Sequence, residues 1–167
     1  MKRLAVIFLL MSIVSACQQA TKSVKNDDTV VTNLLNQWHR DVAEFNHNAY
    51  FNAMADDAVF IGTDASEVWS KQEFMTFCHP LFERQKTWNF KPIERHIHFD
   101  ENGSLAWFDE TLDTWMGICR GSGVVVKKGN RWLIKQYVLS MTIPNDVSNK
   151  VVKIKKTQDS IFVSRFN

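Results

Sequence analysis

Residues 104–145 read SLAWFDETLDTWMGICRGSGVVVKKGNRWLIKQYVLSMTIPN, and the reading of the whole chain starts from them. Three runs rich in Val, Ile, Leu, Trp and Phe are interrupted at Met116-Gly117 and at Lys128-Gly129-Asn130, the pattern of successive antiparallel strands joined by tight turns. Side chains alternate across a strand. Ala106, Phe108, Glu110 and Leu112 therefore share one face, and Leu105, Trp107, Asp109, Thr111, Asp113 and Trp115 share the other. Both faces carry aromatics, so each needs a cover: helices on one side, a partner or a further layer on the other. Both also carry carboxylates, and whichever face turns inward sets an acid among apolar neighbours. The period leaves that face open. Counting two or three loop residues at Met116-Gly117 swaps the side on which Arg120 falls.

Upstream, Asp100-Glu101-Asn102-Gly103 is a hairpin turn that enters the meander from an alternating segment, Trp88 to Phe99. Ser70 with Glu73 forms a capping box, which predicts a helix from Lys71 until Pro80 interrupts it, with Phe74, Phe77 and Phe82 on its apolar side. Ala58 to Gly62 reads as a short strand, and Asn48 to Met54 as a short helix. Val30, Leu34, Leu35, Trp38, Val42 and Phe45 recur at spacings of three and four, the apolar stripe of an amphipathic helix over 29–45.

The first residues read as an address. Lys2 and Arg3 precede an apolar run, Leu4 to Val14, too short to span a bilayer comfortably, and Val14-Ser15-Ala16-Cys17 resembles the lipobox of bacterial lipoproteins. The resemblance implies a signal peptide over 1–16, acylation of Cys17, and a membrane tether without a transmembrane helix. Gln18 in place of an aspartate implies sorting to the outer membrane, facing the periplasm, where the host has one. Residues 17–28 then form a polar, flexible tether, residues 29–145 a single domain, and residues 146–167 a basic extension in which Ser160 to Val163 reads as one more strand. The lysines of that extension suit either anionic headgroups or simple solvation, and solvation is the preferred reading.

A composition of 45% hydrophobic and 12% aromatic residues suffices for one core, and a net charge of +2 without an arginine-rich stripe gives no reason to expect nucleic acid. With Cys17 acylated, Cys78 and Cys119 remain. They form either one disulfide or two small buried hydrophobes.

The order helix, helix, short strand, helix, long meander resembles the SnoaL-like branch of the nuclear transport factor 2-like superfamily. The residues that carry the likeness are Ala58-Val59-Phe60-Ile61-Gly62-Thr63-Asp64, the AWF run at Ala106, and Gly129-Asn130-Arg131-Trp132-Leu133-Ile134 followed by Val138-Leu139-Ser140. The resemblance implies an α+β, cone-like fold: a strongly curved antiparallel sheet packed against three N-terminal helices, with a pocket at the open end. It also implies dimerisation through the outer sheet face. The histidine that such proteins often carry near the end of the last strand is replaced here by Val138, with Gln136 and Tyr137 nearby.

Within that frame Glu110 is the candidate catalytic group. A carboxyl among Ala106, Phe108 and Leu112 is expected to have a raised pKa suited to proton transfer, unless it pairs across strands with Arg95 or Arg120. Trp38, Tyr50, Phe60, Trp69 and Phe108 are candidate pocket walls, with Glu110, Arg120 and Gln136 meeting the polar end of a ligand. Arg120 beside Gly121-Ser122-Gly123 either holds a ligand's oxyanion or sits at a bulge that bends the sheet. His96 and His98 share a face with Glu94, a spacing a metal can use, but they read as an ordinary polar strand face and no metal site is assigned. No Gly-rich phosphate loop or Rossmann fingerprint is present, and no cofactor is expected. The function expected is binding of a small, mostly apolar molecule. The alternatives are a cofactor-free isomerase, cyclase or hydratase using Glu110, with Tyr137 or Arg120 stabilising charge, and a protein- or peptide-binding module.

Overall fold

The computed structural model describes residues 27–167; the signal, lipobox and nearly all of the expected tether lie outside them. The chain forms helix α1 (27–43), α2 (His47–Asn52), β1 (Met54–Ile61), β2 (Val68–Ser70), α3 (Lys71–Glu83), β3 (Lys91–Phe99), β4 (Leu105–Thr114), β5 (Gly117–Lys128), β6 (Arg131–Met141) and α4 (Ser148–Val163). One curved six-stranded sheet has the order β2-β1-β6-β5-β4-β3, antiparallel throughout except for the parallel pair β1/β6. α1 to α3 cover its inner face, as expected of an α+β cone.

The face left open by the period is settled by burial. Ala106, Phe108, Glu110 and Leu112 are buried, and Trp107 and Trp115 are exposed. Thr114 pairs with Gly117, so the β4–β5 turn holds two residues, Trp115 and Met116. Gly117 at φ 83° supplies a left-handed conformation there that other residues rarely adopt. This count puts Cys119 and Gly121 inside and Arg120 outside.

β6 departs from simple alternation. Ile134 pairs with Val125 but Gln136 pairs with Val124, so Lys135 is an extra residue opposite no partner, a bulge. Trp132 and Ile134 face inward before it, and Tyr137 and Leu139 after it. Period two carried through from Trp132 would place Gln136 inside; the bulge sends Gln136 out and brings Tyr137 in.

Three other expectations change. The capping box forms as read, with Ser70 and Glu73 each bonding the other's backbone, but α3 continues through Pro80 to Glu83. Only the bond that residue 80 would donate is forfeited, and it falls in the last turns. Asp27 and Asp28, assigned to the tether, are already helical, and Asp27 is held by Lys127 Nζ at 2.9 Å and Trp132 Nε1 at 3.2 Å. Ser160 to Val163 is the last turn of α4 and not a strand. A helix satisfies its own backbone where no strand edge is offered, and Lys155–Asp159 adds an i,i+4 ion pair at 3.3 Å. Cys78 and Cys119 are both free and buried.

Candidate functional site

Arg95 on β3 lies directly opposite Glu110 on β4, and Glu110 lies opposite Gly121 on β5. Glu110 is fully buried. Its Oε2 accepts from Arg95 Nε at 2.9 Å and Nη2 at 2.6 Å. Its Oε1 accepts from the Tyr137 hydroxyl at 2.9 Å and meets His39 Nε2 at 2.7 Å. Arg95 Nη1 reaches across to α1, donating to Asn36 Oδ1 at 2.8 Å and to the Thr32 carbonyl at 3.3 Å. Thr32, Asn36 and His39 are spaced i, i+4, i+7, so one flank of α1 presents all three toward the sheet beside the apolar stripe Val31, Leu35, Trp38 and Val42.

Burial is the largest single influence on the Glu110 carboxyl and pushes its pKa up. The hydrogen bond and charge of His39 and the charge of Arg95 together outweigh it and hold the group below the ordinary 4.5. This corrects the expected raised pKa: Glu110 is an enclosed, fully bonded anion, and of the two pairings open to it, Arg95 is the one formed. Tyr137 is driven well above its ordinary 10, first by burial and then by the adjacent Glu110 carboxylate, so it stays a hydrogen-bond donor. Arg120 instead bonds Asp109 at 3.0 Å on the outer face, beside His96, whose Nδ1 lies 3.3 Å from the same carboxylate and whose Nε2 lies 3.4 Å from Glu94. Among the described residues no group of three or more His, Cys, Asp or Glu is placed to hold a metal ion.

Two cavities flank this cluster. An apolar pocket of about 200 Å³ is walled by Phe60, Trp69, Phe74, Phe77, Trp88 and Phe90, with Thr63 and Glu67 also in its lining. Phe60 and Phe74 stack at 3.9 Å between centroids, and Phe60 also stacks on Tyr137 at 5.7 Å. A second, polar cleft of about 500 Å³ lies between α1 and the residues entering β3.

The structure thus divides the sequence candidates. Phe60 and Trp69 line the apolar pocket. Trp38, Tyr50 and Phe108 are packed in the core behind it, Glu110 is sealed within its bonding partners, and Arg120 and Gln136 are on the outer face. His39 and Asn36 escaped the sequence reading as members of the cluster. Their signal was the i, i+4, i+7 polar flank of an otherwise apolar helix.

Among the described residues Trp38 Nε1 and the Tyr50 hydroxyl are buried without a hydrogen-bond partner, and the two rings stack at 4.8 Å. An unpaired buried hydroxyl costs roughly 1–3 kcal/mol. Tyr50→Phe is therefore expected to raise folding stability by about 1 kcal/mol or more, read from urea midpoints; a loss of stability would show that the hydroxyl is satisfied in solution.

The SnoaL-like domain family model matches residues 31–144. No curated protein is detectably similar in sequence. Among solved structures, a nuclear transport factor 2-like protein of unknown function from Pseudomonas putida KT2440 superposes at TM-score 0.61 and 14% identity, over 74% of this chain and 92% of that one. A candidate scytalone dehydratase from Novosphingobium aromaticivorans superposes at 0.62 and 9% identity, over 74% and 89%. A candidate ketosteroid isomerase from Shewanella frigidimarina does so at 0.54 and 17%, over 65% and 92%. At these identities the likeness establishes the fold alone.

Proposed function

This chain belongs to the SnoaL-like domain family, and from that premise we propose that it binds a small, mostly apolar molecule in the aromatic pocket beside β1 and α3. The observation that carries this reading is the pocket itself: seven aromatic residues lining about 200 Å³, with Glu67 and Thr63 as polar groups in the lining. An apolar cavity of roughly 150 Å³ suffices for benzene. This pocket suits a molecule of one or two fused rings and is smaller than the roughly 300–1,000 Å³ of drug-sized sites. The dehydratase and isomerase among the structural neighbours are consistent with small-molecule chemistry in such a fold. The sealed, ionised state of Glu110 favours a structural role for that carboxylate over a proton shuttle. The lipobox at Val14 to Cys17 supports placing the domain at a bacterial envelope membrane, anchored by lipid; among the described residues no helix is long and apolar enough to cross one.

Native mass spectrometry of the chain expressed without residues 1–17, followed by organic extraction, tests this reading. A stoichiometric apolar molecule is expected, and Trp69→Ala, which removes a wall stacked on Phe77 at 4.8 Å, should weaken its retention about tenfold, as losing roughly 1.4 kcal/mol of contact would. Unchanged retention in that variant would overturn the pocket assignment. The same spectrum counts subunits. Ile93, Trp107 and Ile118 are exposed apolar side chains on β3 to β5, and a dimer through the outer face of this sheet is the expected state.

A further inference from the structure

We infer that the cleft between α1 and the entry to β3 is a second binding site, built for a small oxyanion, a carboxylate or phosphate group. It encloses about 500 Å³, more than the aromatic pocket, and its polar lining is Asn36, His39, Arg40, Glu44, Asn89 and Lys91. His39 is the one deeply buried titratable group of that lining, 4% exposed. Its Nε2–H is committed to Glu110 Oε1, which orients the ring; the other ring nitrogen donates to an oxyanion in the imidazolium form, with both nitrogens protonated. Asn36 gives its carbonyl oxygen to Arg95, so its NH₂ is what remains to be offered. Arg40 bonds the neutral Gln37 amide at 2.7 Å, and among the described residues neither Arg40 nor Lys91 has an ion-pair partner. The Arg95 charge is already balanced by Glu110, so Arg40 and Lys91 against Glu44 leave one positive charge in excess at the cleft. Donors and cations outnumber acceptors throughout the lining, which is the chemistry that recognises a planar or tetrahedral oxyanion. Glu110 acts here as a positioning residue for His39.

The test is a ¹H–¹⁵N NMR titration of the folded chain with inorganic phosphate and, separately, with acetate, at constant ionic strength. One-site saturation is expected at the His39 ring and at the Asn36 and Asn89 side-chain amides. The variant carrying Arg40→Gln and Lys91→Gln changes only exposed side chains and so keeps the fold; it should weaken that saturation at least tenfold. The inference fails if those groups do not shift, if they shift without saturating, or if the double variant titrates as the parent does. Phosphate has no apolar group for the aromatic pocket, and Trp69 lines that pocket and not the cleft, so its indole reports separately on the apolar site.

Discussion

Arg95→Met should destabilise the fold by about 3–5 kcal/mol, because it removes the charge that compensates a fully buried carboxylate. Net stabilities of single domains are of the order of 5–15 kcal/mol, so the loss is a large fraction of the total. Glu110→Gln removes the other half and strands the guanidinium against α1, with a penalty of the same order. Each single change leaves one buried ion without its partner, and the double change leaves none. The double variant is accordingly expected to be less destabilised than the sum of the singles, by a margin measurable in urea titrations. Acid should reproduce part of this effect. The folded pKa of Glu110 lies below its ordinary 4.5, so the stability it contributes is complete above about 4.5 and is lost as pH falls through the lower folded value. The gap between the parent and Glu110→Gln therefore narrows on acidification below that point. A Glu110→Gln variant as stable as the parent at neutral pH would remove the ion pair from any account of this fold.

Gly121→Ala is the second large expected effect, although alanine suits a strand at least as well as glycine does. Gly121 sits opposite Glu110 on the inner face, and a Cβ there would fall well inside contact distance of the Tyr137 hydroxyl and 2.9 Å from Glu110 Cγ. Overpacking of a dense core costs about 1–3 kcal/mol. Displacing the Tyr137 hydroxyl from Glu110 adds the loss of a hydrogen bond to a charged group, roughly 1.5–3 kcal/mol. Tyr137→Phe deletes the atom that clashes, so in the Gly121→Ala background it should cost less than it does alone, a favourable coupling read from the same unfolding curves. Strict additivity of the two changes would show that the glycine serves some purpose other than making room for the hydroxyl.

The glycines of β5 illustrate how far sequence reasoning reached. Gly121 and Gly123 were visible as positions where something approaches the backbone, with a bulge or a ligand as the expected cause. What approaches is the protein itself: the Tyr137 hydroxyl at Gly121, and the Phe108 ring and the Gln136 carbonyl at Gly123. The meander, the capping box at Ser70, the helical stripe of α1 and the grouping of Ala106, Phe108, Glu110 and Leu112 on one face were legible because each follows from a local period or a short motif. The partner of Glu110 was legible only as a pair of options, Arg95 or Arg120. The choice between them rests on a single residue in the β4–β5 turn.

The sequence by itself determined the order of elements from α1 to β6 apart from the short β2, the two-faced central strands and the presence of an acid on whichever face was buried, because side-chain alternation and turn chemistry act over a few residues. Tertiary structure decided which groups meet. The bulge at Lys135 reverses the parity of β6, exchanging Gln136 for Tyr137 at the cluster, and no period-two count can see it. The packing of α1 over the sheet brings His39 and Asn36 to Glu110 and Arg95 across 71 and 59 residues of chain, and encloses the Glu110 carboxylate among these partners. Both outcomes depend on contacts between segments far apart in sequence, where local patterning carries no information about distance.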